Sequence, residues 1–390
     1  MMIKREYCGN RPTKIRFLIL DIFIDFLVAI LRKKRNVNFI NPQKILLFNT
    51  GHLGDMLMMG YMINLIKQKF PNVEVHVVAG SWNKALLEKN PLFDKVFYIN
   101  HYKTNRSKAS TFAKIKLNIK DVFQFLATQK SISYTHSFDF RYSGFNANIL
   151  LPFLNIQQKV GFGTRGFGGL LDKEYFMFSE STHTIDVQIQ GLALLDIHEN
   201  SKSIQPVVAM PIEDKNSLDI SEAYYMLFPE AGSDHRMFSI EFWIEIIDYI
   251  LTHKPNVQIV ICGLTDYAQK LSEKAEEKYP NAIINAIGKL SIYQIAGTLK
   301  NAQGAITLDS FPAHLASTQT PTLCLFKNGT GVEYYPINAF EVHIIHNHKY
   351  SKEVTTFRSK MTINYIESFE NEIFKKILFD ALNKLFSLNP

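Results

Sequence analysis

Short apolar runs closed by turn residues alternate along this chain with longer stretches in which apolar residues recur three and four apart. The first pattern marks buried strands and the second marks helices. Strands are predicted at Lys44–Asn49, Val73–Ala79 and Lys95–Ile99 and around Tyr134–Phe140, with helices from the Thr50–Asp55 loop to Lys69, at Trp82–Lys89 and at Ser110–Thr128. A second series starts at Tyr224–Phe228 and runs through Val257–Cys262, Ala282–Asn285, Gly304–Leu308 and Thr322–Phe326, with helices at Ser239–His253, Asp266–Tyr279 and Ser291–Asn301 between them. Strand–helix alternation builds a doubly wound parallel sheet, so the fold class is α/β with two Rossmann-like domains. A chain of 390 residues, 46% hydrophobic, has the material for two cores. The domains are predicted at 43–178 and 222–345, joined by a helix and polar linker over 179–221 and followed by a helical segment over 346–390.

Residues 1–40 break the pattern. Phe17–Leu31 (FLILDIFIDFLVAIL) is apolar but carries Asp21 and Asp25, and it is shorter than the roughly 20 apolar residues a spanning helix needs. LRKKR follows where a signal peptide would have a small-residue cleavage site. Residues 1–35 hold nine Lys or Arg against three acids, six of the chain's seven net positive charges. The rest is therefore near neutral and offers no basic stripe for nucleic acid, so no nucleic-acid partner is expected. The arm reads as an amphipathic helix that either lies in an anionic membrane surface through residues 14–35 or docks on the first domain. Cys8, Cys262 and Cys324 form neither a disulfide framework nor a metal-ligand pattern, and the body has no D-x-D, so neither metal nor bound cofactor is expected.

Three strand ends carry candidate chemistry. Gly304–Leu308 runs into Asp309–Ala316 (DSFPAHLA), where Ser310 suits a helix N-cap and Pro312 the first turn; such a helix start points backbone N–H groups at an anion. Lys44–Asn49 runs into TGHLGD (Thr50–Asp55), and Tyr224–Phe228 into PEAGSDHRMF (Pro229–Phe238). Arg141–Gly144 follows another strand. Lys159–Gly169 (KVGFGTRGFGG) is glycine-rich without the context of a dinucleotide loop, and reads as a flexible loop at the ligand edge.

In order and spacing these segments resemble glycosyltransferase family 9, the bacterial heptosyltransferases of lipopolysaccharide core assembly. The likeness rests on Leu53-Gly54-Asp55, Phe70–Val73, NPLFDKV (Asn90–Val96), Lys159–Phe162, Pro229–Ser233 and Asp309–Ala316, and covers roughly Lys44–Val342. The resemblance implies the GT-B arrangement, two Rossmann-like domains facing across a cleft, with the acceptor on the first and the nucleotide sugar on the second. It implies an inverting, metal-independent transfer from a nucleoside-diphosphate sugar such as ADP-heptose to a lipid-linked saccharide such as lipopolysaccharide core, at the cytoplasmic face of the inner membrane of a Gram-negative-type bacterium. Asp55 then matches the catalytic base, with His52 able to share the role; as a residue by itself, Asp55 reads equally as a first-turn helix acid. Arg236 would meet charge on the leaving diphosphate. Gly232, Ser233, Asp309, Ser310, Phe311, Ala313 and His314 would bind the nucleotide sugar, with His314 alternatively a buried histidine bonded to backbone. Gly51, Gly54, Arg141 and Arg165 fall on the acceptor side.

The chain departs from the family pattern at Phe311 and Glu230, where glycines are common, and at Asn49, where an arginine is common. A ring and an added carboxylate are expected to reshape the sugar-diphosphate pocket. The competing classes are an epimerase-like nucleotide-sugar enzyme and a non-catalytic nucleotide-binding relative.

Overall fold

A computed structural model describes residues 5, 7, 10–31, 38–141, 145–175, 183–200, 204, 211–213, 218–327, 334–345, 362–366 and 372–388. Cys8, Arg32 to Arg35, Gly144 and most of the predicted linker lie outside them. The chain divides into two compact units, Met1–Met210 and Pro211–Pro390.

The first unit is built on six parallel strands, β1 (Lys44–Phe48), β2 (Glu74–Ala79), β3 (Lys95–Tyr98), β4 (Ser133–Asp139), β5 (Asn155–Phe162) and β6 (Lys173–Tyr175), in the order β3-β2-β1-β4-β5-β6. The second has seven, β7 (Ala223–Phe228), β8 (Val257–Ile261), β9 (Ile283–Asn285), β10 (Gly304–Leu308), β11 (Thr322–Lys327), β12 (Glu341–Ile345) and β13 (Thr362–Ile366), in the order β13-β12-β11-β10-β7-β8-β9. Each sheet is parallel throughout and reverses its strand order once, between β1 and β4 and between β7 and β10. That reversal opens a crevice at the strands' carboxyl ends, the place where doubly wound sheets bind ligands.

Ten α-helices accompany the strands among the described residues: α1 (Arg11–Leu31), α2 (Leu53–Lys69), α3 (Lys84–Leu87), α4 (Thr111–Thr128), α5 (Thr184–Leu192), α6 (Ile240–His253), α7 (Asp266–Lys278), α8 (Ile292–Lys300), α9 (Phe311–Ala316) and α10 (Glu372–Leu388). Their starts follow local chemistry: Ser110, Ser239, Thr265 and Ser291 each accept a first-turn backbone N–H. Helix α2 ends at Phe70, whose N–H closes on Ile66 O at 2.8 Å, because Pro71 cannot continue it.

Two expectations are corrected, and three strands are added. Lys159–Phe162 is the end of strand β5, not loop; Ile156, Gln158 and Val160 alternate inward, a period-two signal masked by the glycines that follow. The short strands β6, β12 and β13 have no counterpart in the sequence reading. Residues 346–390 are not simply helical, since they contain β13, and α10 is no appendage: Phe374, Leu378, Leu382 and Leu385 pack with Trp243, Ile246 and Ile250 of α6 in the second unit's core. Within the helix and linker predicted over 179–221, the described helical part is α5 followed by a single turn at Ala193–Leu195. Cys262 and Cys324 are buried thiols, pushed up to about 12 by burial.

Helix α1 docks on the first unit, and it does so by its acidic side. Tyr7 Oη donates to Asp21 at 3.0 Å, Phe167 N donates to the same carboxylate, and Arg5 bridges Asp25 at 2.7 Å to Glu174 at 2.9 Å. Burial pushes Asp21 and Glu174 up, with the Arg5 guanidinium opposing. Asp25 lies so close to Gly169 that a β-carbon there would overlap its carboxylate. The apolar side chains Ile15, Leu18, Ile19, Ile22, Phe23, Phe26 and Ile30 are left exposed. No described helix is long and apolar enough to cross a membrane.

His136, wholly buried on β4 and stacked on Phe138, is held near 4 by burial, with Gln158 on the neighbouring strand opposing. A native state that excludes the proton is at full strength above the unfolded value of about 6.5 and weakens as pH falls from there through about 4. The loss at the acid end is on the order of 3 kcal/mol. Thermal melts should therefore show a decline from pH 7 to 4.5 that is visibly shallower in His136→Leu.

Candidate active site

At the first sheet's reversal, β1 and β4 run in register, with Phe48 beside Asp139. The chain leaves β1 through Asn49 and Thr50, which are buried, and enters α2 at Leu53. Asp55 is the third residue of that helix. Its carboxylate accepts from His52 N at 2.8 Å, the acid half of a capping box, and takes an ion pair from the Arg141 guanidinium. Asn49 braces the loop from within: its Oδ1 accepts from Gly51 N at 3.0 Å and its Nδ2 donates to Asp55 O at 3.1 Å. Gly51 O is clamped by Trp82 Nε1 at 2.7 Å and Asn83 Nδ2 at 2.8 Å. Gly51 has to be glycine because a β-carbon would run into the Asp55 carboxylate.

Arg141 is positioned by Asp139, whose Oδ1 accepts from Arg141 N at 2.9 Å while its other oxygen pairs with Arg165. Burial pushes Asp139 up, the Arg165 guanidinium opposing. Arg165 is only 2% exposed, so it supports β4 from inside the unit instead of presenting its charge. His52, Gly54, Asp55 and Arg141 remain partly accessible at this edge.

The second sheet's reversal is built alike with the charges exchanged. The loop after β7 turns through Asp234–Arg236, and Arg236 reaches across to the end of β10. Its Nε donates to Ser233 Oγ at 2.9 Å; its Nη1 donates to Asp309 O at 2.9 Å and pairs with Asp309 Oδ2 at 3.0 Å. Burial pushes Asp309 up, opposed by Arg236 and then His235. Lys327 at the end of β11 adds a second cation, bonded to Met237 O at 3.0 Å and standing 5.2 Å from the Phe238 ring.

Helix α9 supplies fewer donors than its sequence promises. Ser310 is the N-cap by position, but its Oγ turns back to Leu308 O at 3.4 Å and caps nothing. Pro312 has no N–H, and Ala313 N closes on Ser310 O at 3.1 Å, which leaves the N–H groups of Ser310 and Phe311 at that end. Phe311 is half-buried at the first helical position, His314 is buried on the same turn, and Gly232 is exposed in the loop opposite. Glu230 does not reshape this edge: its carboxylate accepts from Leu264 N at 2.8 Å and Thr265 N at 3.0 Å, fastening the start of α7. Asp139, Trp82 and Lys327 escaped the sequence reading, and Asn49 entered it only as a departure from the family pattern; the available signal was a charged or polar residue closing an apolar strand, as with Asp139 and Lys327.

A model of glycosyltransferase family 9 (heptosyltransferase) matches residues 146–362, more than half of the chain. The chain belongs to glycosyltransferase family 9. It is accordingly a glycosyltransferase of the heptosyltransferase family. Its fold is similar to that of E. coli heptosyltransferase WaaC with ADP, at TM-score 0.64 and 11% identity over 89% of this chain and 100% of that one. E. coli ADP-heptose lps heptosyltransferase II gives 0.61 and 15% over 88% and 98%. A family 9 glycosyltransferase from Veillonella parvula gives 0.61 and 14% over 90% and 91%. The curated proteins contain no match.

Proposed function

We propose that this glycosyltransferase moves a heptose-like sugar, with inversion and without a metal, from a nucleoside-diphosphate sugar such as ADP-heptose to a lipid-linked saccharide such as lipopolysaccharide core. The observation that carries the reading is the pair of Asp–Arg sites, one at the strand reversal of each sheet. The second unit takes the donor: Arg236, set by Ser233 and Asp309, neutralises the diphosphate with help from Lys327 and the Ser310 and Phe311 N–H groups. The first unit takes the acceptor, and Asp55 is the base. In one displacement the acceptor hydroxyl gives its proton to Asp55, its oxygen bonds to the anomeric carbon, and the bond to the diphosphate oxygen breaks with its electron pair leaving on the diphosphate. Arg236 stabilises that charge. Arg141 holds the Asp55 carboxylate in place until the acceptor displaces it.

Support for a donor of the ADP-heptose type comes from the ADP and ADP-heptose named for the two E. coli heptosyltransferases. Support for a lipid-linked acceptor comes from the outward apolar side of α1, which suits a cytoplasmic membrane face. A thermal-shift panel of nucleoside diphosphates and nucleotide sugars tests the donor, because only a ligand of the native state raises the midpoint. Adenosine diphosphate and its sugars should raise it most, and a panel with no response defeats the reading.

A further inference from the structure

We propose that helix α4 and the turn Ala147–Phe153 form, with α1, a broad face of the first unit that rests on an anionic bilayer. This deepens the lipid-linked-acceptor reading and is tested apart from it. Phe112, Ile115, Ile119 and Phe123 lie three and four residues apart, so they form one stripe along α4, and they are exposed, Phe112 by 79% and Phe123 by 70%. The opposite side of α4 does the packing, with Phe125 against Phe48 and Phe97. A solvent-facing helix side in a soluble unit is ordinarily polar; here the large apolar side chains stand outward, as Phe153 does at 69% on the neighbouring turn.

The three elements are connected. Phe125 of α4, Leu150 and Leu151 of the turn and Leu154 just after it belong to one cluster on the same face of the sheet as Leu46 and Phe48. That turn abuts Gly168–Leu170, on which α1 lies. The acids Asp21 and Asp25 of α1 are consumed inward by Arg5, Tyr7 and Phe167, so the side left outside is apolar. Charge identifies the occupant. Lys116 and Lys120 run beside the α4 stripe and Lys108 precedes it, all exposed, while Asp121 is turned in to Asn100 at 2.9 Å. Arg11, Lys14 and Arg16 do the same for α1. Exposed aromatics interleaved with lysines fit phosphate headgroups above an acyl boundary better than they fit an apolar protein partner, which would leave those cations desolvated.

The test is co-sedimentation of the full chain with vesicles of phosphatidylglycerol and phosphatidylethanolamine, against pure phosphatidylcholine, with no donor or acceptor present. Wild type should prefer the anionic vesicles and lose affinity as salt rises from 50 to 500 mM, roughly as Debye screening shortens the reach of the cations. Phe112→Ser/Phe123→Ser should weaken anionic binding by about ten-fold or more, with unchanged melting and nucleotide response, since both rings are exposed. Ile19→Ser/Phe23→Ser on α1 should weaken it comparably, and the two pairs together should abolish it. The proposal is overturned if the α4 pair binds like wild type, if wild type ignores anionic lipid, or if wild type is a dimer that the α4 pair converts to monomer, in which case a second copy owns the face. None of these outcomes touches the transferase reading, which is decided by nucleotide binding and turnover.

Discussion

Asp55→Asn should lower sugar transfer by about a hundred-fold or more while leaving nucleotide affinity unchanged. The magnitude is that of a general base removed from a positioned site. Asparagine can still accept from His52 N, so the start of α2 survives; what disappears is the proton acceptor and the ion pair to Arg141. Both side chains are partly accessible, so losing that pair should cost only about 1 kcal/mol of stability. A purely structural Asp55 predicts the same small stability loss with turnover intact. Arg141→Gln separates the two further, because it removes the same ion pair but keeps the carboxylate: wild-type turnover in both variants would assign Asp55 to the cap alone. Turnover, nucleotide titration and melting on this pair of proteins decide the role.

What was legible in the sequence follows from range. Elements whose pattern is local were visible: the strand–loop–helix at Lys44 to Lys69, the capped helices after Ser239 and Ser291, and the convergence of Arg236 with Asp309, which parallel βαβ topology forces once two strand ends are adjacent. Features set by distant partners were not. The inward turn of the α1 acids depends on Glu174, 169 residues from Arg5 in sequence, and no periodicity in α1 announces it. Glu230 looked like an intrusion because its real partners, Leu264 and Thr265, sit beyond the next helix and strand. Strand β6 is three residues long, too short for alternation to register. The α9 anion site was overcounted because the Ala313 closure onto Ser310 is a matter of backbone geometry, not residue type.

Arg236→Ala should weaken nucleoside diphosphate binding by about 1.5–3 kcal/mol, the range for a lost charge-assisted bond, or ten-fold and more. The structure adds a second effect that the anion-site argument alone omits. Arg236 is the main partner of Asp309, a carboxylate closing a buried strand, and its removal leaves that charge without compensation. Breaking a fully buried pair costs 3–5 kcal/mol, and here, with Arg236 20% exposed, the stability loss should be smaller, on the order of 2 kcal/mol. The sign of its pH dependence is fixed. Without Arg236, the native carboxyl rises further above its unfolded value, so the variant's deficit is largest at neutral pH and shrinks as acid protonates Asp309 in the native state. Arg236→Ala/Asp309→Asn removes the stranded charge and should recover most of the melting temperature without recovering nucleotide affinity. If the double variant binds nucleotide like wild type, the diphosphate does not rest on Arg236; if it melts as low as the single variant, the unpaired Asp309 is not the cause of the loss.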